Sequence, residues 1–217
     1  MARKGEEVDT MKKKVVLVML VVAMLVPSML FAKALSISLG GIAMYNVNAG
    51  EVAADYSGLA KIENYNFGAD VRLKVLMFDI TAMGLYNGKS TTANGDPEIS
   101  GIVTAGLAFD LADFIRVGVG IGPRLSAKRN EGEWKVYQGS SDGGDVNINQ
   151  SNFKNVFMNA PMTYRAMVDF MLGGISVGAS YMVDTTYTFK NAGAVDDLVN
   201  CDWESGKLGV SLLLNIQ

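Results

Sequence analysis

Along residues 65–75, YNFGADVRLKV, apolar and polar positions alternate without a break. Tyr65, Phe67, Ala69, Val71, Leu73 and Val75 fall on one side; Asn66, Gly68, Asp70, Arg72 and Lys74 fall on the other. A period of two over this length predicts a strand with two unlike faces. The same alternation recurs at 35–46, 78–87, 100–111, 115–125, 158–170, 175–184 and 207–217. These eight segments are about as long as a tilted strand that crosses a bilayer, roughly 9–11 residues, and about twice the length of an average globular strand.

The connections are unequal. Two residues (76–77), three (112–114) and four (171–174) join strands 2–3, 4–5 and 6–7, whereas 47–64, 88–99, 126–157 and 185–206 are long. Short turns at one end and long loops at the other are the asymmetry of an outer-membrane barrel. The predicted fold is therefore all-β, an eight-stranded antiparallel up-and-down transmembrane β-barrel over 35–217.

A soluble barrel would alternate too, with its apolar side inward, so the remaining composition decides between the two. No charged residue falls on the apolar side of any of the eight segments. Gly118, Gly120 and Gly122 would weaken a solvent-facing strand for no gain, whereas inside a narrow barrel they leave room for a long side chain from across the lumen. Phe78, Phe109, Phe114 and Phe170 lie near the short turns, and Tyr45, Tyr65 and Tyr86 near the long loops, which predicts two interfacial girdles. The apolar side is thus expected to meet lipid and the charged side to line the lumen.

That orientation names the candidate site. Lys74, Asp79, Asp110, Arg116 and Asp169 are expected in a layer near the short turns, with Asp70, Arg72 and Arg165 closer to mid-membrane. They form either a salt-bridged plug or a charged constriction. Met83, Leu85, Met167, Met182 and Leu213 are apolar but share the inward parity, as filling or as a route for an apolar solute. Arg124, Asp184 and Lys207 are expected at the loop-side rim.

Met11–Ala34 carries a basic start (Lys12, Lys13, Lys14), an apolar run from Val15 to Val26 and Ala32-Lys33-Ala34 before Leu35. These are the marks of a secretory signal peptide, so 1–34 is read as a leader, with Met11 as the expected true start. Beyond it the charge is 13 − 19 = −6, which argues against nucleic acid as a partner. The chain has no histidine, which removes Ser-His, Cys-His and His-metal schemes, and the single Cys201 forms no internal disulfide. GSSDGGD at 139–145 is acidic and glycine-rich but lacks calcium-loop spacing. No enzyme, cofactor or metal is expected.

On eight strands, three tight turns and four long loops, the chain resembles the small eight-stranded outer-membrane barrels of the OmpX, OmpA membrane-domain and OmpW groups. The long loops and the inward Met and Leu residues make it look most like OmpW. That resemblance implies a passive channel for small solutes, hydrophobic ones included. The departure is the ending LLLNIQ, where such barrels usually end in an aromatic residue. The competing expectation is a surface-exposed adhesin or interaction barrel with a plugged lumen, binding an extracellular partner through 126–157 or 185–206. Either way the expected location is the outer membrane of a diderm bacterium, in contact with its lipid, with the long loops extracellular and both termini periplasmic.

Overall fold

A computed structural model describes residues 35–54, 56–87, 97–130, 133–137, 146–147, 153–191 and 196–216. The predicted leader (1–34) and the 139–145 stretch lie outside them. Eight long strands form the wall: β1 (Leu35–Tyr45), β2 (Tyr65–Val75), β3 (Phe78–Asn87), β4 (Glu98–Ala112), β5 (Ile115–Asn130), β8 (Pro161–Leu172), β9 (Ile175–Thr188) and β10 (Lys207–Ile216). Between β5 and β8 lie the short strands β6 (Glu133–Tyr137) and β7 (Val146–Asn147) and a helical turn, α2 (Phe153–Met158). A first helical turn, α1 (Ala49–Ala54), follows β1, and a third, α3 (Asp196–Val199), follows β9.

Each wall strand pairs antiparallel with its neighbours. The order β4-β3-β2-β1-β10-β9-β8-β5 is closed by pairing of β4 with β5, so the sheet is a ring. β1 sits between β2 and β10, with Leu39 opposite both Val71 and Leu214. Closure removes the free strand edges, the condition for a sheet in lipid, where unpaired backbone groups are costly. No helix among the described residues is long and apolar enough to cross a membrane, which says nothing against crossing by strands.

Three tight turns lie at one end, at Leu76-Met77, Asp113-Phe114 and Gly173-Gly174. Two of them turn through positive φ: Gly173 at 68°, and Leu76 at 55°, a conformation that costs an L-residue about 1–2 kcal/mol. The start of β1 and the end of β10 share this end, since Ile37 pairs with Ile216 and Leu35 with Val75.

The exterior is the apolar side. Leu39, Val71, Val103, Val119, Val177 and Leu212 all project outward and exposed, Val119 at 61%. Phe78, Phe114 and Phe170 ring the short-turn end, and Phe67 and Tyr86 stand toward the other. With its charged residues inside and its apolar residues outside, the molecule is a transmembrane β-barrel.

The structure corrects the expected pattern at the loop side. Met158 belongs to α2, while Ala160 and Met162, expected outward, are buried. β8 begins at Pro161, and its pairing with β9 shifts between Pro161 and Thr163. The shift is of two residues, which keeps the alternation of faces, so it does not by itself turn these side chains inward. Val183 pairs with Tyr164 in regular register and is buried on a wall position where the connection after β9 folds back, Trp203 against Tyr164 and Cys201 in a β-bridge with Thr185. Tyr45 is no girdle residue either: the connection to β2 folds over it, with Gly58 and Asn64 against its hydroxyl and Tyr65 edge-on at 5.1 Å. β5 is longer than expected: Ser126, Ala127 and Lys128 pair with β6 as well as β4, and Arg129 and Asn130 pair with β6.

Candidate functional site

The alternation of β2 carries Asp70, Arg72 and Lys74 into the lumen on successive inward positions, and β3, β4, β5 and β8 bring the other charges to meet them. All eight predicted lumen charges lie inside the ring. Asp70, Arg72 and Lys74 are 0%, 2% and 1% exposed. The guanidinium of Arg72 bridges two carboxylates. Its Nε and Nη2 donate to Asp70, the Nη2 bond being 2.7 Å, and its Nη1 donates to Asp169 at 2.6 Å. Asp70 also accepts from Ser211 of β10 at 2.8 Å and faces Arg165 Nη2 at 3.5 Å. Arg165 Nη1 donates to Thr81 Oγ1 at 2.6 Å, and Thr81 in turn donates to Asp79 at 3.0 Å. Closer to the short turns, Asp110 accepts from both Lys74 (2.5 Å) and Arg116 (2.7 Å).

The plug holds four cations (Arg72, Lys74, Arg116, Arg165) and four anions (Asp70, Asp79, Asp110, Asp169), equal in formal charge; among the described residues, ion pairs join all of them but Asp79, which Thr81 holds. Removing a charge from water costs several kcal/mol, which its interactions inside must offset. Around Arg72 the network does so with two-pronged Arg–carboxylate contacts and a hydroxyl bridge, strong kinds of charged hydrogen bond, while Arg165 Nε and Asp79 Oδ1 are left without a hydrogen bond among the described residues. Gly178 leaves the space it needs: a Cβ there would collide with Asp169 Oδ1.

The five apolar lumen candidates divide between two levels. Met167 and Leu213 sit at the level of the ion pairs, with Met167 Sδ 3.4 Å from Arg72 Nη1. Met83, Leu85 and Met182 join Ile42, Met44 and Ile102 in a buried apolar cluster on the loop side of the charges. Above that cluster is a recess with about 410 Å³ of empty space, part of it continuous with solvent. Its lining includes Met44, Leu85, Ile102 and Met182 from the cluster, with Asn66, Arg124, Asp184 and Lys207 around them. Arg124 Nη1 donates to Asp184 at 2.9 Å, and Asp184 also accepts from Thr163.

Parity flagged the charged residues but not their uncharged supports, Thr81, Ser211 and Gly178. The same parity contains them, since each sits on an inward position, but nothing in residue type separates a bridging hydroxyl from filler. The described part of 185–206 also does something the sequence did not announce. It lies against the outer wall, where Trp203 stacks on Tyr164 at 6.3 Å and its carbonyl accepts from the Tyr181 hydroxyl. Among the described residues no cluster of His, Cys, Asp and Glu could hold a metal ion.

No protein-family model matches the chain, and no curated protein matches it. Among solved structures, the backbone structure of the outer membrane protein Ail of Yersinia pestis in a phospholipid bilayer nanodisc is similar at 14% identity and a TM-score of 0.43. It covers 85% of this chain and 100% of that one. Ail in complex with the heparin analogue sucrose octasulfate is similar at 15% identity and a TM-score of 0.39, over 83% and 95% of the two chains. Neisserial surface protein A is similar at 7% identity and a TM-score of 0.40, over 84% and 96%. Likenesses at this level transfer no function, and the barrel assignment rests on the strand ring itself.

Proposed function

We propose that this chain is an outer-membrane barrel whose lumen is closed and which works at its loop-side end, as a surface interaction protein rather than a passive channel. The outer-membrane reading is supported by the apolar exterior, the closed antiparallel ring and the contrast between three tight turns and four long connections. In it the long connections face outward from the cell, both ends of the barrel face the periplasm, and the partners are membrane lipid on the wall and an extracellular molecule at the loops. No catalytic role is assigned.

One observation carries the closed lumen: Arg72, reaching from β2 to Asp169 on β8, is 2% exposed with both its carboxylate partners equally buried. A pore through this level would leave those groups wet. An eight-stranded ring is just wide enough to be filled by side chains, and here it is filled. The inward Met and Leu residues that suggested an OmpW-like passage are largely packed on one another, which favours filling over a route.

Solute entry tests this reading. Liposomes carrying the protein, placed in an isotonic solution of a small neutral sugar, should swell no faster than protein-free liposomes. Swelling that rises with the amount of folded protein would replace it with the channel reading.

A further inference from the structure

The recess above the apolar cluster has a chemistry the plug does not share. Its floor is Met44, Leu85, Ile102 and Met182, all buried. Its polar lining is under-satisfied at three points. Asn66 is 8% exposed, and its Oδ1 has no donor. The buried Nε of Arg124 has no acceptor, although Nη1 of the same group is bonded to Asp184. Lys207 is half-buried and, among the described residues, makes no ion pair, while the neighbouring Lys128 is paired with Glu98. Buried polar groups are ordinarily partnered, and two buried unpartnered atoms beside an ammonium with no counter-ion among the described residues mark a place where a partner fits.

The character of that partner follows from charge and surface. Arg124 and Lys207 against Asp184 leave the lining with a net charge of +1, which suits a monoanion better than a dianion. Water could bond Arg124 Nε but would not neutralise Lys207. A carboxylate can do both, and the Asn66 amide can be turned to present its N–H₂ to the same group. The apolar floor calls for a hydrocarbon tail on that carboxylate, and a short one, because much of the recess is open to solvent.

We propose that the loop-side recess binds a small monocarboxylate with an apolar tail, its head between Lys207 and Arg124 and its tail on Met44, Leu85, Ile102 and Met182. That the ligand is held rather than passed rests on the closed lumen proposed above; the binding itself does not.

The probe is hexanoate, with hexanol (tail only) and acetate (head only) as controls. It is titrated calorimetrically into protein expressed from the full-length gene, purified from membranes and placed in zwitterionic phospholipid nanodiscs, with empty nanodiscs subtracted. Hexanoate should bind saturably at one site per barrel, with acetate and hexanol about tenfold weaker or worse. Lys207→Gln and, separately, Arg124→Gln should each lower hexanoate affinity about tenfold while the barrel still shows its folded mobility on an unheated gel. The site is refuted by no saturable heat above empty nanodiscs, by hexanol or acetate matching hexanoate, or by full hexanoate affinity in either folded variant. Leakage of preloaded hexanoate through the protein, with binding intact, would refute the closed lumen and leave the site standing.

Discussion

Arg72 is the residue on which the interior turns. It is fully enclosed and gives three of its N–H groups to two carboxylates on opposite sides of the lumen. Taking away one member of a buried ion network costs more than the network is worth, because the charges left behind have no solvent to return to. Arg72→Met should therefore destabilise the barrel by about 3–5 kcal/mol in urea unfolding from phospholipid vesicles, by exposing Asp70 and Asp169 to that penalty. The double variant Arg72→Met, Asp169→Asn should recover most of the loss, since Asp70 keeps Arg165 as its partner and the plug stays balanced at three charges of each sign. Recovery by the double variant separates this cause from a simple loss of packing, which an added substitution would only worsen.

At the scale of strands, the alternation decides nearly everything. The strands were legible in the sequence because each keeps a strict period of two, and the lumen charges because parity alone assigns a side. Asp70, Arg72 and Lys74 could be placed inside from YNFGADVRLKV without knowing any other strand. Their choice of partners could not be read there. Arg72 meets Asp169, which lies 97 residues away, and that pairing depends on the relative registers of strands around the ring. The pattern also failed where a folded-back connection covers a wall position, at Val183 and at Tyr45, and at Met162, which is buried beside the start of β8. A charge on the lipid side tests the assignment of faces directly. Val119→Arg should cost about 2–4 kcal/mol if Val119 lies near the bilayer midplane, as its place in the middle of the paired stretch of β5 suggests. Unfolding in vesicles gives the value. An unchanged stability would mean that Val119 faces water.

The whole molecule is layered along its axis. Ion pairs fill the short-turn half of the lumen, an apolar cluster sits above them, and a recess with a small positive excess opens at the loop side. This order follows from the ring. Every strand alternates, so every strand contributes one residue in two to the lumen, and the inward residues near the turns are largely charged while those near the loops include Met, Leu and Ile. The closed lumen is a property of the ion-pair layer and the apolar cluster above it, and single-channel recording in planar bilayers examines it most directly. The protein, once shown to be folded by its β-sheet circular dichroism, should insert without discrete conductance steps, and the silence should hold across applied voltages. Discrete steps whose size changes in Arg165→Ala would contradict the account, because they would place ions in contact with a residue that is enclosed here.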